Sequence, residues 1–389
     1  MLLYFDLQNY LIILRQVWRA KHWRRRKRML IKLLVGVPLV WLFHAICFFL
    51  DYIFCPSLWR KEPEKPVFIV GHGRSGTTLM HRLMAADEER FSYFLYWEMF
   101  FPSLLQKRFI RLLGKLDSAL LGGYFMRKLE AWDERKFGYV RHIHNLGLWV
   151  PEEDDFVNTF AFTAGYWIVQ APFMEHLDVF NLDLKPPKTR KRWMGYYREC
   201  IKRQLALTGG NRIHLSKNPL FCGRVESLIE AFPEARFVVM VRDPVECIPS
   251  LIKLMETVWT RGGWSKEECQ ESLRLLREQS FDCYRLPRIA LDRHPETPHA
   301  IVDYRKLIEH PGDTVRTVYE KLGLEITEQF AATLEVEESK AKKHSTHHSY
   351  GAEQMGEVTP ELLESELERF YEEFEWPRHS AAAQASDNS

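Results

Sequence analysis

Val67-Phe68-Ile69-Val70-Gly71-His72-Gly73-Arg74-Ser75-Gly76-Thr77-Thr78 is the stretch whose reading decides the fold. A short apolar run, a glycine-rich turn and a helical stretch from near Thr77 read as a buried parallel strand feeding a loop and then a helix. Backbone N–H groups in such a turn converge on an oxyanion, and the following helix adds the positive end of its dipole. The spacing from Gly71 to Gly76 mimics a Walker A loop, but Thr77 stands where that loop carries lysine, which disfavours a grip on the γ-phosphate of a nucleoside triphosphate. Arg74, Ser75, Thr77 and Thr78 supply further donors around Gly76.

Outward from this stretch, residues 212–215, 236–241 and 299–303 repeat the short apolar pattern with helical segments between them, so an α/β fold with a central parallel sheet is expected. After the third strand comes Val241-Arg242-Asp243-Pro244-Val245-Glu246-Cys247-Ile248-Pro249-Ser250. Asp243 offers an N-cap, Pro244 the first helical position and Glu246 the third, so a helix is predicted to about Thr257. Arg242 at the strand end and Ser250 eight residues on suit a second phosphate, because ligands of open parallel sheets bind at the carboxyl edge and arginine matches phosphate oxygens. Residues 100–191 are aromatic and mainly helical in period, as expected of an insertion over the site.

The chain has 389 residues, 46% of them hydrophobic, enough for one large domain with appendages. Its formal charge is only +2, yet residues 21–28 concentrate positive charge ahead of the apolar segment 33–50, which points to anionic lipid and away from nucleic acid. That segment lacks Asp, Glu, Lys and Arg and is just long enough to span a bilayer. Pro38 within it and Asp51 after it favour a dipped element over a straight span, which would leave the domain facing the cytosol rather than a lumen. Residues 2–14 suit the membrane interface. The expected organisation is a membrane-associated region over 1–60, a globular domain over 61–376 and a disordered tail over 377–389. Seven cysteines without a CxxC pair read as free thiols.

Taken together, the two motifs resemble those of the sulfotransferases that use 3′-phosphoadenosine-5′-phosphosulfate (PAPS), of the bacterial type and related to tyrosylprotein sulfotransferases. The resemblance runs over 67–374 and includes Leu215-Ser216-Lys217-Asn218-Pro219 between the motifs. It implies a P-loop-like three-layer fold with a helical insertion, and transfer of a sulfuryl group from PAPS to a hydroxyl acceptor. Carried over by residue, Arg74 is similar to the cation at the moving sulfuryl group, with Ser75, Gly76, Thr77 and Thr78 around the 5′-phosphate. Lys217 resembles the lysine on the bridging oxygen, Arg242 and Ser250 the 3′-phosphate pair, and Tyr304 a residue near the adenine. Glu98 falls where relatives keep a catalytic glutamate; His142, His144, Glu152 and Glu153 are the alternative bases. By analogy with phosphoryl transfer, Arg74 and Lys217 stand in for a metal, so none is expected to be required. His344, His347 and His348 lack carboxylate or cysteine partners at useful spacing and read as a flanking loop. The aromatic insertion and the membrane segment suit a lipid or glycolipid hydroxyl, with a glycan, a small alcohol or a peptide tyrosine left open. The competing readings are a nucleotide-kinase-like P-loop phosphotransferase, which the missing lysine disfavours, and an inactive membrane-bound nucleotide-binding adaptor.

Overall fold

The computed structural model describes residues 3–20, 23–138, 147–341 and 359–378. In chain order its main elements are α1 (Leu7–Arg19), α2 (Arg26–Phe54), β1 (Val67–Gly71), α3 (Thr77–Ala85), β2 (Phe91–Ser92), α4 (Tyr96–Met99), α5 (Leu104–Leu121) and α6 (Tyr124–Phe137). They continue with α7 (Pro187–Thr208), β3 (Ile213–Lys217), β4 (Arg236–Val241), α8 (Pro244–Arg261), α9 (Lys266–Arg293), β5 (His299–Asp303), α10 (Pro311–Lys321) and α11 (Glu328–Ala341).

The five strands form one parallel sheet in the order β2-β3-β1-β4-β5. The strands read as apolar runs because both faces of the sheet are covered. Phe68, Val70, Phe237 and Val239 face one core, completed by Tyr197 of α7, Ile248 of α8 and Leu291 of α9. Val67, Ile69, Val238 and Met240 face the other, completed by Met80 of α3, Val315 and Val318 of α10 and Leu334 of α11. The result is the expected three-layer fold. The chain places β2 and β3 on one side of β1 and β4 and β5 on the other, so a crevice opens beside the carboxyl end of β1. The edge strand β2 has two residues, too short to leave an apolar pattern in the sequence.

The N-terminal region packs onto this body. Asp6 caps α1, accepting from Asn9 N at 3.0 Å, and also accepts from Trp193 Nε1 at 3.0 Å. Ile13 and Val17 turn into the core while Leu7, Leu11 and Trp18 stay exposed. The α2 helix runs unbroken through Pro38: a π-helical turn over Lys32–Gly36 closes with Val37 N donating to Lys32 O, and the proline follows where its missing N–H is least costly. Asp51 does not end the helix. It is fully buried, accepts from the α5 N-terminus at Leu104 N (3.1 Å), Leu105 N (2.8 Å) and Ser103 Oγ (2.9 Å), and pairs with Arg203 Nε at 2.7 Å. A carboxylate favours that position because the first turn of α5 offers orphan N–H groups and a positive dipole end.

Loss of Asp51 leaves the buried Arg203 with Glu199 alone, 2.6 Å away, and strips the α5 N-terminus of its acceptor. Asp51→Leu is therefore expected to cost roughly 3 kcal/mol of stability in denaturant unfolding, and Asp51→Leu with Arg203→Met less than that single change.

Candidate functional site

The loop after β1 is held by close packing that only glycine permits at two points. At Gly71 (φ +145°) an added Cβ would lie 2.3 Å from the Met240 carbonyl oxygen of β4. At Gly76 (φ +89°) it would lie 2.5 Å from the Tyr304 ring. Arg74 between them also takes a positive φ of 76°, a strained conformation for a residue with a side chain. The loop delivers Thr77 and Thr78 to the first turn of α3, a nine-residue helix whose N-terminal N–H groups face the crevice end of β1. Ser75 N donates to His72 O at 3.1 Å, while the buried Ser75 Oγ has no hydrogen-bond partner among the described residues. An unpartnered hydroxyl in a glycine cradle at a helix N-terminus fits an anionic phosphate.

The second motif closes on the first. Arg74 Nε donates to Ser250 Oγ at 3.2 Å, and Arg242 NH1 donates to the Arg74 carbonyl at 3.2 Å. The Arg242 guanidinium lies 4.3 Å from the centre of the Tyr304 ring. Burial would lower the Arg242 pKa, but its bonds to Glu246 outweigh this and hold it above the usual arginine range, so it is a fixed cation. Arg74, Gly76, Arg242, Ser250 and Tyr304, five residues drawn from three separate segments of sequence, are thus brought together.

On the other side of β1, opposite Ile69 in register, β3 ends at the fully buried Lys217. Its Nζ donates to Glu152 Oε1 and Glu153 Oε1, each at 3.1 Å. Burial alone would depress the lysine pKa; Glu153 and then Glu152 more than offset it and hold the ammonium above the ordinary lysine range. Glu152 is nearly enclosed, whereas the Glu153 side chain is 29% exposed. The next two acids fasten the same strip. Asp154 Oδ2 accepts from Tyr197 OH at 2.6 Å and lies 2.7 Å from His214 Nε2, and Asp155 pairs with Arg224 at 3.4 Å. His81, also enclosed here, is pushed down to about 3 by burial and then by Lys217, so it stays neutral. Sequence reasoning singled out Glu152 and Glu153 but not Asp154 or Asp155; four consecutive acids set between the apolar Leu148-Trp149-Val150 and Phe156-Val157 were the available signal, since a solvated acidic run has little reason to sit among apolar side chains.

Glu98 sits apart from these contacts. It is fully buried, accepts from Leu95 N (3.1 Å), Gln204 Nε2 (2.8 Å) and Arg111 NH2 (2.9 Å), and so ties α4 to α5 and α7. His142, His144, His344, His347 and His348 lie outside the described residues. Among the described residues, the one cluster with metal-ligating potential is His310, Asp313 and Glu338, on α10, α11 and the turn before α10.

Comparison with known proteins follows the same line. The family model described as "Sulfotransferase family" matches residues 66–328. Two curated relatives, both called omega-hydroxy-beta-dihydromenaquinone-9 sulfotransferase Stf3, from Mycobacterium bovis and Mycobacterium tuberculosis, are each 25% identical over 312 residues, 73% of this chain and 72% of theirs. Among solved structures, sulfotransferase STF9 from Mycobacterium avium superposes with a TM-score of 0.70 at 18% identity, covering 96% of this chain and 93% of that one. Sulfotransferase STF1 from Mycobacterium tuberculosis gives 0.57 at 16% identity, covering 93% of each. These two likenesses speak to the fold.

The close approach at Gly71 is to backbone, which cannot yield. Gly71→Ala is expected to lower stability by about 2 kcal/mol or more. Gly114→Ala, in the middle of α5 with open space around it, is expected to raise stability by about 0.5–1 kcal/mol. Thermal unfolding of both variants checks the pair.

Proposed function

The chain belongs to the sulfotransferase family, and on that premise we propose that it transfers a sulfuryl group from PAPS to a hydroxyl acceptor without a metal. The observation that carries this reading is the placing of two cationic sites, Arg74–Ser250–Arg242 and the buried Lys217, on the two sides of β1. PAPS would supply an activated sulfuryl group whose departure leaves negative charge on the bisphosphate product. The loop N–H groups with Ser75, Gly76, Thr77 and Thr78 would hold the 5′-phosphate. Arg242 and Ser250 would hold the 3′-phosphate, with Tyr304 beside the adenine. Arg74 and Lys217 would stabilise developing charge on the sulfuryl and bridging oxygens, as fixed cations do where charge appears in a transition state. A nucleotide kinase would need the lysine that Thr77 replaces.

For the base, the geometry favours Glu153 over Glu98. A general base must reach the acceptor proton. Glu153 is partly open and bonded to Lys217, while Glu98 has both oxygens engaged in holding α4. Glu152 would serve as the enclosed counterion. Tyr96, Phe100, Phe137 and Phe156 pack together next to this strip and would line the approach of an apolar acceptor.

We further propose that the acceptor hydroxyl belongs to a lipid and that the catalytic domain, 61–376, lies on the cytosolic face of a membrane held by residues 1–60; most of the expected tail over 377–389 lies outside the described residues. Supporting this are the hydroxylated menaquinone in the relatives' name and the α2 helix, 29 residues long, with an apolar stretch of 18 residues long enough to cross a membrane and docked on the domain through Asp51.

Full-length protein incubated with ³⁵S-labelled PAPS and a hydroxylated isoprenoid quinone, with a metal chelator present, is expected to label the lipid. Glu153→Gln is expected to lower kcat by about 10²–10⁴-fold with little change in affinity for 3′,5′-adenosine bisphosphate. Full kcat in Glu153→Gln with loss in Glu98→Gln would return the base to Glu98, and labelling abolished by the chelator would overturn the metal-free mechanism.

A further inference from the structure

The α5–α6 hairpin is held by polar contacts at its tip and base, yet between Leu112 and Trp132 it buries little against the described residues. Asp117 is the only buried residue between Leu112 and Trp132. It accepts from Phe125 N (3.0 Å) and Met126 N (2.9 Å), and Gly122 and Gly123 take the positive φ angles that reverse the chain. At the base, Arg111 pairs with Glu98 at 2.9 Å and Asp133 accepts from Leu148 N at 2.8 Å. The hairpin is thus ordered by polar contacts at its two ends while its apolar side chains face outward.

Those side chains follow helical spacing. On α5, Phe109, Leu112, Leu113, Leu116 and Leu120 form one stripe, and on α6, Phe125, Leu129 and Trp132 form another; all are exposed, Leu120 at the tip by 76%. Arg108 and Lys115 lie beside the α5 stripe, and the exposed side chains of residues 104–138 include seven basic against two acidic, Glu130 and Glu134. An apolar face flanked by excess positive charge is the pattern of a helix that lies in a bilayer interface with anionic headgroups. The hairpin also adjoins α2, whose outward Leu39, Leu42, Phe43, Ile46 and Phe49 are exposed, because Gln106 and the α5 N-terminus pack on His44 and Asp51.

We propose that the α5–α6 hairpin is a second lipid-inserting element, which with α2 forms a docking surface for an anionic lipid bilayer. The apolar tip sinks among the acyl chains and the basic side chains meet the headgroups. At the other end α6 closes on the domain where Phe137 packs against Tyr96, 5.6 Å between ring centres, beside the Glu152–Glu153 strip. The hairpin therefore links the bilayer to the place where an acceptor would enter. A second copy of the chain is the poorer occupant, since two such hairpins would bring like charge together.

This inference rests on the membrane association proposed above, and the two fail differently. The test uses the full-length chain carrying Leu121→Cys labelled with the environment-sensitive dye NBD, with Cys283→Ser removing the one native cysteine that is not buried. A matching probe at Val336→Cys on α11, exposed on the opposite side of the sheet, is the control. With phosphatidylcholine–phosphatidylglycerol vesicles, the probe at 121 is expected to shift to the blue and to be quenched by acyl-chain spin-labelled lipid, while the probe at 336 does neither. Omitting phosphatidylglycerol is expected to weaken binding several-fold. Cosedimentation with the probe at 121 still in water would overturn the hairpin's role, no cosedimentation at all would overturn the membrane association itself, and a blue shift that grows with protein concentration without vesicles would assign the face to a second copy.

Discussion

The enclosed ammonium of Lys217 is the constraint on which the site depends. A lysine with no access to water is tolerable only with counterions in contact, and Glu152 and Glu153 supply them from a segment some sixty residues away. Holding those two in place requires the rest of the strip: Asp154 bonds to Tyr197 of α7 and His214 of β3, and Asp155 pairs with Arg224. One buried charge thereby fixes how a long irregular segment crosses the end of the sheet. It also places a partly open carboxylate and a cluster of aromatic rings at the same spot.

The other half of the site depends on backbone proximity instead of charge. Gly71 lets the loop press against the carbonyl of Met240, and Gly76 lets it press against Tyr304, over which Arg242 is stacked. The left-handed conformation at Arg74 is the kind of local strain that functional loops retain, of order 1 kcal/mol. The strand order β3-β1-β4 then sets Lys217 and Arg242 on opposite sides of one loop.

Much of this was legible in the sequence because it is local. The four longer strands are compact apolar runs, and the Asp243-Pro244-Val245-Glu246 start does open a helix, which continues to Arg261, beyond the predicted Thr257, on the strength of packing that includes the buried Trp259. The glycine loop and the Arg242–Ser250 spacing announced themselves for the same reason. Less legible were features that exist only through distant contacts. Asp51 looked like the end of an apolar segment because its partners, Ser103 and Arg203, lie far along the chain. In one dimension Glu98 came ahead of Glu153 by its place after the first motif, and only burial and partners separate a carboxylate that ties helices together from one beside a lysine. Pro38 suggested a bend, which the preceding π-helical turn absorbs.

The most direct test of the donor site is calorimetric titration of the full-length protein in detergent, free of metal, with 3′,5′-adenosine bisphosphate and separately with Mg-ATP. Saturable one-to-one binding of the bisphosphate, lost in Arg242→Ala and not matched by Mg-ATP, is the expected result. Preference for Mg-ATP, or a folded protein that binds neither, would contradict the assignment of the loop and Arg242 to a PAPS site.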